Sequence, residues 1–380
     1  MWRLVLTVSL LCCSSEASVT CKDENDGEVD WFILYKAPKN VKYQNKVTTG
    51  LEFIFISPQG STITAARNQK PIDDPNGILA NTLRPLFNVG NNKPPDFGFI
   101  SYSDQPPDHH AGHTYGHSKG VVMLDQSSGV WLLHSTPRFP YRRDKNFWPS
   151  GGSRNAQTFI CVTFPYDQFE KIGKHLQYIR AYAFEHHIPT GFHDELQKVK
   201  DQVDPVPPSS VFQDLQSKKG QMFHSISKQL LKVNNPPAKK QRIDPSLLSA
   251  NTVGDADLYV AILKKADSPV KVQSWGCQRG RVKNSWTIDG KTLENTECLK
   301  TDFGNWKPSK DHSKWCVTTD QNKPFTCIAD VNRSESQFER PGGALCIKNE
   351  EITNILKGMI GTVADCNADS DCDPNIDSDD

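Results

Sequence analysis

The chain has 380 residues, enough for a large core and for two domains or two fused lobes. Its 44 basic and 44 acidic residues cancel, so at neutral pH no global charge draws it to nucleic acid or to an anionic membrane. Eleven histidines alter that balance below about pH 6, where ordinary imidazoles protonate and the molecule becomes cationic.

Residues 1–17 read as a secretory signal, with Arg3 as the basic start, Leu4 to Cys13 apolar, and Ser15-x-Ala17 offering small residues for cleavage. That apolar run is too short for a membrane span, and no later run reaches the length required. Val29 to Tyr35 and Leu51 to Ile56 are β-branched and aromatic, as central strands are. Gly77 to Val89 has helical spacing, with Pro85 expected to kink or end it. Phe97 to Tyr102 is a third strand, stopped by Gln105-Pro106-Pro107. His109 to Gly116 is a loop, since Gly112 and Gly116 argue against a helix that would align His109, His110, His113 and His117 as metal ligands. Val130 to Leu133 returns after a Ser127-Ser128-Gly129 turn, Phe159 to Phe164 is another strand, and Asp167 to Glu185 has helical periodicity.

Prolines then accumulate among polar residues, so 205–250 reads as an inter-lobe connector around a short helix from Gln221 to Leu231. This divides the chain into lobes at 18–204 and 251–364, the second opening with a strand at Leu258 to Leu263. The basic Lys239-Lys240-Gln241-Arg242 reads as a solvated loop. Residues 365–380 carry seven aspartates and read as an acidic tail, because Pro374 stands where a calcium loop needs glycine.

One stretch occurs twice. His117-Ser118-Lys119-Gly120-Val121-Val122-Met123-Leu124-Asp125-Gln126 is matched without a gap by His312-Ser313-Lys314-Trp315-Cys316-Val317-Thr318-Thr319-Asp320-Gln321. Continued in step, Arg138 falls opposite Arg333, whereas His134 and Ser135 fall opposite Ala329 and Asp330. A repeated His-x-Lys suggests two related half-sites meeting across a pseudo-twofold, each giving an imidazole and an ammonium, chemistry suited to a phosphodiester. Asp125 and Asp320 suit either the site or the hairpin turns.

Eleven cysteines, two of them in the leader, leave nine for an oxidising compartment, hence up to four disulfides and one odd thiol. No C-x-x-C pair is present, which argues against a zinc ribbon.

Val29-Asp30-Trp31-Phe32 with Tyr35-Lys36, Tyr102 to Pro107, Gly116 to Val121, Trp131 to Ser135, Asp311 to Val317 and Gly343-Ala344-Leu345-Cys346 together resemble the deoxyribonuclease II family, in order along nearly all the mature chain. The resemblance implies a mixed α/β, phospholipase D-like pseudodimer of two lobes, each a central mixed sheet flanked by helices. It implies an acid endonuclease that cuts double-stranded DNA without a metal or other cofactor and leaves 3′-phosphate ends. Such enzymes are lysosomal or secreted and degrade DNA from dying or engulfed cells. Asp125 and Asp320 come one residue later than in the superfamily's longer signature and no Gly-Ser pair follows, which lowers the case for phospholipid hydrolysis. A lipid phosphodiesterase and a non-catalytic secreted DNA-binding paralogue are the alternative functions. The family pattern implies Cys21 with Cys161, Cys327 with Cys346, and Cys366 with Cys298 or Cys277, leaving Cys316 as a buried free thiol.

The expected catalytic set is therefore His117, Lys119, His312 and Lys314, with one histidine attacking phosphorus and the other protonating the leaving oxygen. His134 is assigned a phosphate-contacting or orienting role. Arg138, Arg142 and Arg143, interleaved with aromatics, are candidates for gripping DNA phosphates, and Asn332 and Arg333 lie where the second half would receive substrate. Asn332-Arg333-Ser334 is also the sole glycosylation sequon, expected unused. Oligomeric state is not legible.

Overall fold

The computed structural model describes residues 18–89, 93–203, 210–228 and 256–366. The leader, the basic 239–242 patch, most of the connector, Cys372 and nearly all of the acidic tail lie outside the described residues.

Two eight-stranded sheets carry the molecule. The first contains β1 (Trp31–Lys36), β2 (Phe53–Gln59), β3 (Thr62–Arg67), β4 (Gly98–Ser103), β5 (Lys119–Leu124), β6 (Ser128–His134), β7 (Gln157–Pro165) and β8 (Ala183–His187), in the spatial order β8-β4-β5-β6-β7-β1-β2-β3. The second contains β9 (Ser210–Gln216), β10 (Met222–Lys228), β11 (Val270–Gln273), β12 (Trp286–Ile288), β13 (Lys291–Asn295), β14 (Trp315–Thr318), β15 (Thr326–Ala329) and β16 (Gly342–Ile347), ordered β9-β10-β16-β15-β14-β11-β13-β12. Each His-x-Lys runs into the first strand of an antiparallel triplet, β5-β6-β7 in one sheet and β14-β15-β16 in the other.

Side chains alternate across these strands, and the alternation builds the layers. Trp31, Ile33 and Tyr35 of β1 join Trp131, Leu133, Trp315, Val317 and Ile328 in one core shared by both sheets. Helices α2 (Phe169–Tyr178) and α4 (Glu350–Gly358) contribute Phe169, Ile172, Leu176, Ile352 and Leu356 to it. The opposite face of the first sheet, with Phe32, Leu34, Val121 and Leu132, is closed by α1 (Ile78–Asn88). That of the second is closed by α3 (Leu258–Ala266). Each sheet thus has a helix before its motif and a helix after its triplet, and no described helix is long and apolar enough to cross a membrane.

Four local expectations are corrected. Leu258 to Leu263 is helical, because a continuous apolar run fits a buried helix as well as a strand, and Asp257 caps it by accepting from the Tyr259 amide at 2.9 Å. Within the helix expected over Gln221 to Leu231, the described Met222–Lys228 is strand β10, which pairs with both β9 and β16. The chain therefore enters the second sheet at Ser210, inside the stretch read as a connector. The helix expected over Asp167 to Glu185 stops at Tyr178; Arg180 adopts a left-handed φ of 49° and the chain returns as β8. Helix α1 continues past Pro85 to Asn88.

Disulfides join Cys21 to Cys161, Cys298 to Cys366 and Cys327 to Cys346; Cys277 is also disulfide-bonded. Cys316 is a buried free thiol, pushed further from ionisation by burial.

Candidate active site

The two motifs are docked across the lobes by matching backbone bonds. The amide of His117 donates to the carbonyl of Pro341 at 3.0 Å, and the amide of His312 donates to that of Ala156 at 3.0 Å. Pro341 and Ala156 occupy the same place in their sheets, immediately before β16 and β7. The correspondence continues along the return strands. Ser135 Oγ accepts from the Thr158 amide at 3.0 Å, and Asp330 Oδ2 from the Gly343 amide at 2.9 Å. The ungapped sequence repeat is therefore a repeat of hydrogen bonds as well as of letters.

All four motif side chains are buried, His117 and Lys119 being 2% exposed and His312 and Lys314 4%. Burying a charge is costly without a counter-charge or hydrogen bonds, and Lys119 is paired with Asp104, one residue beyond β4. Asp104 Oδ1 accepts from Lys119 Nζ at 2.7 Å, and Oδ2 accepts from Arg340 Nη2 at 3.1 Å and lies 4.0 Å from His117 Nε2. Burial alone would raise the Asp104 carboxyl, but Lys119, His117 and Arg340 overcome it and hold it well below the usual carboxylate range.

His117 donates from Nδ1 to the carbonyl oxygen of Asp330, a residue of the other lobe, at 2.8 Å. The proton of the neutral ring is thereby fixed on Nδ1, and Nε2, which has no hydrogen-bond partner among the described residues, keeps its lone pair. Burial lowers the imidazole well below its ordinary value; Asp104 opposes the shift, and Lys119, Lys314 and Arg340 reinforce it. The lowering expected from two nearby lysines is present, but desolvation is its main cause.

The Asp330 side chain lies under the influence of both motif lysines. Burial pushes its carboxyl up to about 8, while the Gly343 amide, Lys119 and Lys314 restrain the rise. At acid pH it is a neutral acid, so the two ammonium groups remain uncompensated by it.

His312 has different surroundings. The side-chain amide of Asn155 donates to its Nε2 at 2.9 Å, and the Trp275 ring meets it edge-on at 4.4 Å. The preceding Asp311 accepts from Tyr35 Oη of the first lobe at 2.5 Å and from Trp306 Nε1 at 2.9 Å. Burial raises the Asp311 carboxyl, against those hydrogen bonds.

His134 ends β6, buried between the edge of Phe139 at 4.9 Å and the stacked face of Phe159 at 5.4 Å. Neither ring nitrogen is in hydrogen-bonding geometry with a described group. Burial lowers it well below the ordinary value, Lys119 adds to this, and the Thr136 backbone opposes it. Among the described residues the hydrogen-bonding capacity of both nitrogens is therefore unused.

The remaining candidates do not gather here. Arg138 and Arg142 are exposed, Arg142 lying over Tyr141, while Phe139 and Phe147 of the same segment turn inward. Arg143 pairs with Glu185 and packs over Phe99. Arg333 is fully buried in the second lobe, donating to Asp257 at 3.0 Å and Asn295 at 3.1 Å and stacking over Trp286. Asn332 is 1% exposed, its amide nitrogen donating to Gln278 at 3.1 Å. Asp125 accepts from the amides of Ser127 and Ser128, and Asp320 from that of Asn322, so both serve the hairpin turns.

Asp104, Arg340, Asn155 and Asp330 were not among the residues expected at the site. Asp330 carried one signal, its place opposite Ser135 in the continued repeat. Asp104 is brought to Lys119 within the first lobe by the pairing of β4 with β5, while Asn155 and Arg340 come from loops whose approach depends on the assembled lobes.

A sequence profile described as Deoxyribonuclease II matches residues 20–366. Plancitoxin-1 of Acanthaster planci is 33% identical over 379 residues, covering 95% of this chain and 96% of that protein. Cell-death-related nuclease 7 of Caenorhabditis elegans is 27% identical, covering 96% and 93%. Deoxyribonuclease-2-beta of Homo sapiens is 28% identical, covering 90% and 91%.

Proposed function

Because the chain belongs to the deoxyribonuclease II family, whose phospholipase D-like fold is the mixed α/β architecture described above, we propose that it is an acid endodeoxyribonuclease. It hydrolyses double-stranded DNA without a metal and leaves 3′-phosphate ends. The observation that supports this reading is the crossed docking of His117 on Pro341 and His312 on Ala156, each motif being held by the opposite lobe.

His117 is the nucleophile in this scheme. Its Nδ1–H is held by a backbone carbonyl and its Nε2 has no partner among the described residues, the tautomer that in-line attack requires; burial lowers its pKa and so favours the neutral ring. Nε2 bonds to phosphorus as the bond to the 5′-oxygen breaks, and His312, entering as imidazolium, gives that oxygen its proton. Neutral His312 then takes a proton from water as the water oxygen displaces Nε2 and frees the 3′-phosphate. An amide partner suits His312, since the Asn155 side chain can donate to the neutral ring or, turned over, accept from the protonated one. Lys119 and Lys314 hold the non-bridging oxygens and His134 supplies a further contact. Outside this centre, Arg138 and Arg142 grip the DNA backbone. The enzyme acts in lysosomes or after secretion, on DNA from dying or engulfed cells.

The test is digestion of plasmid DNA near pH 5 with EDTA present, followed by end-group analysis. The proposal expects nicks bearing 3′-phosphate and 5′-hydroxyl ends. Failure to cut, with release of a lipid headgroup from phospholipid vesicles, would instead establish a lipid phosphodiesterase.

A further inference from the structure

Two lysines outside the motifs repeat as faithfully as the motifs themselves. Lys36 is the last residue of β1 and faces Gln157, the first of β7; Lys228 is the last of β10 and faces Gly342, the first of β16. Both are fully buried, and neither pairs with a described carboxylate. Their ammonium groups bind backbone carbonyls instead. Lys36 Nζ donates to Ala37 at 2.8 Å, Gly50 at 3.0 Å and Ser153 at 3.4 Å. Lys228 Nζ donates to Phe338 at 3.1 Å and to Arg340.

Both loops so held run directly into the opposite motif. From Ser153 the chain passes to Asn155, which touches the His312 ring, and Ala156, which takes the His312 amide. In the other lobe Arg340 donates to Asp104, and Pro341 takes the His117 amide. We infer that Lys36 and Lys228 are paired positioning residues, each clamping the loop of its own lobe that orients the catalytic histidine of the other.

Burying an ammonium is costly, so its retention at two equivalent places needs a reason that Leu or Met would not satisfy. Three donors on one nitrogen let Lys36 tie three carbonyls at once. Burial lowers both groups to about 7; Asp311 and Glu52 oppose this at Lys36, while at Lys228 Asp257 opposes it and Arg340 reinforces it. Near pH 5 both therefore carry all three protons.

The inference deepens the nuclease reading and rests on it for the word catalytic, but its main readout needs no substrate. Hydrogen–deuterium exchange of the full chain is compared for the parent, Lys36→Met and Lys228→Met, with kcat and KM measured on duplex DNA near pH 5. Lys36→Met is expected to speed exchange in the peptide carrying His312, and Lys228→Met in the peptide carrying His117. In each, kcat falls roughly 10- to 100-fold through misalignment while KM stays within about twofold. Exchange that rises only within the substituted lobe, or activity lost merely in proportion to the folded fraction, would overturn the assignment. Lys36→Gln and Lys228→Gln, which keep two donors, decide the point by the same crossed exchange if the Met variants do not fold. Crossed exchange without nuclease activity in the parent would leave the clamps standing and remove the nuclease reading.

Discussion

Asp330→Asn tests the electrostatics of the centre with little change of shape. Folding raises the Asp330 carboxyl to about 8, against about 3.9 for an unfolded chain. The native state thus keeps a proton that the unfolded chain releases. Stability from this group is complete below about pH 3.9 and is lost as pH rises through about 8. Between pH 5 and pH 7 the parent should lose about 2.7 kcal/mol on this account, at ~1.36 kcal/mol per pH unit. Asparagine cannot ionise and retains an oxygen for the Gly343 amide, so it escapes that loss. With an unfolding entropy of ~2.1 cal/mol/K per residue, the variant should gain roughly 3 °C in Tm over the parent on going from pH 5 to pH 7. Paired thermal melts at the two pH values measure this directly, and contributions from His117 and His134, common to both proteins, cancel in the difference. An equal Tm difference at both pH values would refute the claim that Asp330 is held as a neutral acid.

Asp104→Asn should destabilise the fold by about 3–5 kcal/mol, because it strands the buried Lys119 ammonium; a urea titration near neutral pH reads this. Arg138→Ala and Arg142→Ala should each lower the slope of log affinity against log salt by about 1, whereas Arg143→Ala, whose guanidinium is engaged by Glu185, should leave the slope unchanged. Asn332 should be unmodified in protein secreted from eukaryotic cells, since its amide nitrogen is buried on Gln278; glycopeptide mass spectrometry checks this.

What the sequence made legible follows from what is local. The continuous β-branched and aromatic run in Trp31 to Tyr35 marks a strand that buries both faces, and the motif repeat survives as a hydrogen-bond repeat. The run Leu258 to Leu263 was misread because apolarity without periodicity does not separate a buried helix from a buried strand. Met222–Lys228 was misread because its strand character comes from pairing with Gly342–Ile347, more than a hundred residues away. The same distance in sequence hides Asn155 and Arg340, which reach His312 and Asp104 only once the lobes dock; Asp104 instead meets Lys119 within the first lobe, through the pairing of Ser103 with Lys119. Arg333 shows the converse. Its place opposite Arg138 pointed to substrate, yet a carboxylate at Asp257, invisible as a partner in the sequence, holds it inside the second lobe.

Division of labour between the two histidines is the centre of this account, and a duplex carrying a single 5′-bridging phosphorothiolate tests it most directly. Sulfur leaves without needing a proton, so the substrate relieves the loss of the general acid but not of the nucleophile. His312→Ala should be inactive on ordinary DNA and regain cleavage on the phosphorothiolate near pH 5, while His117→Ala should stay inactive on both. Rescue of His117→Ala in place of His312→Ala would reverse the roles, and rescue of neither or both would contradict a nucleophile and acid drawn from the two motifs.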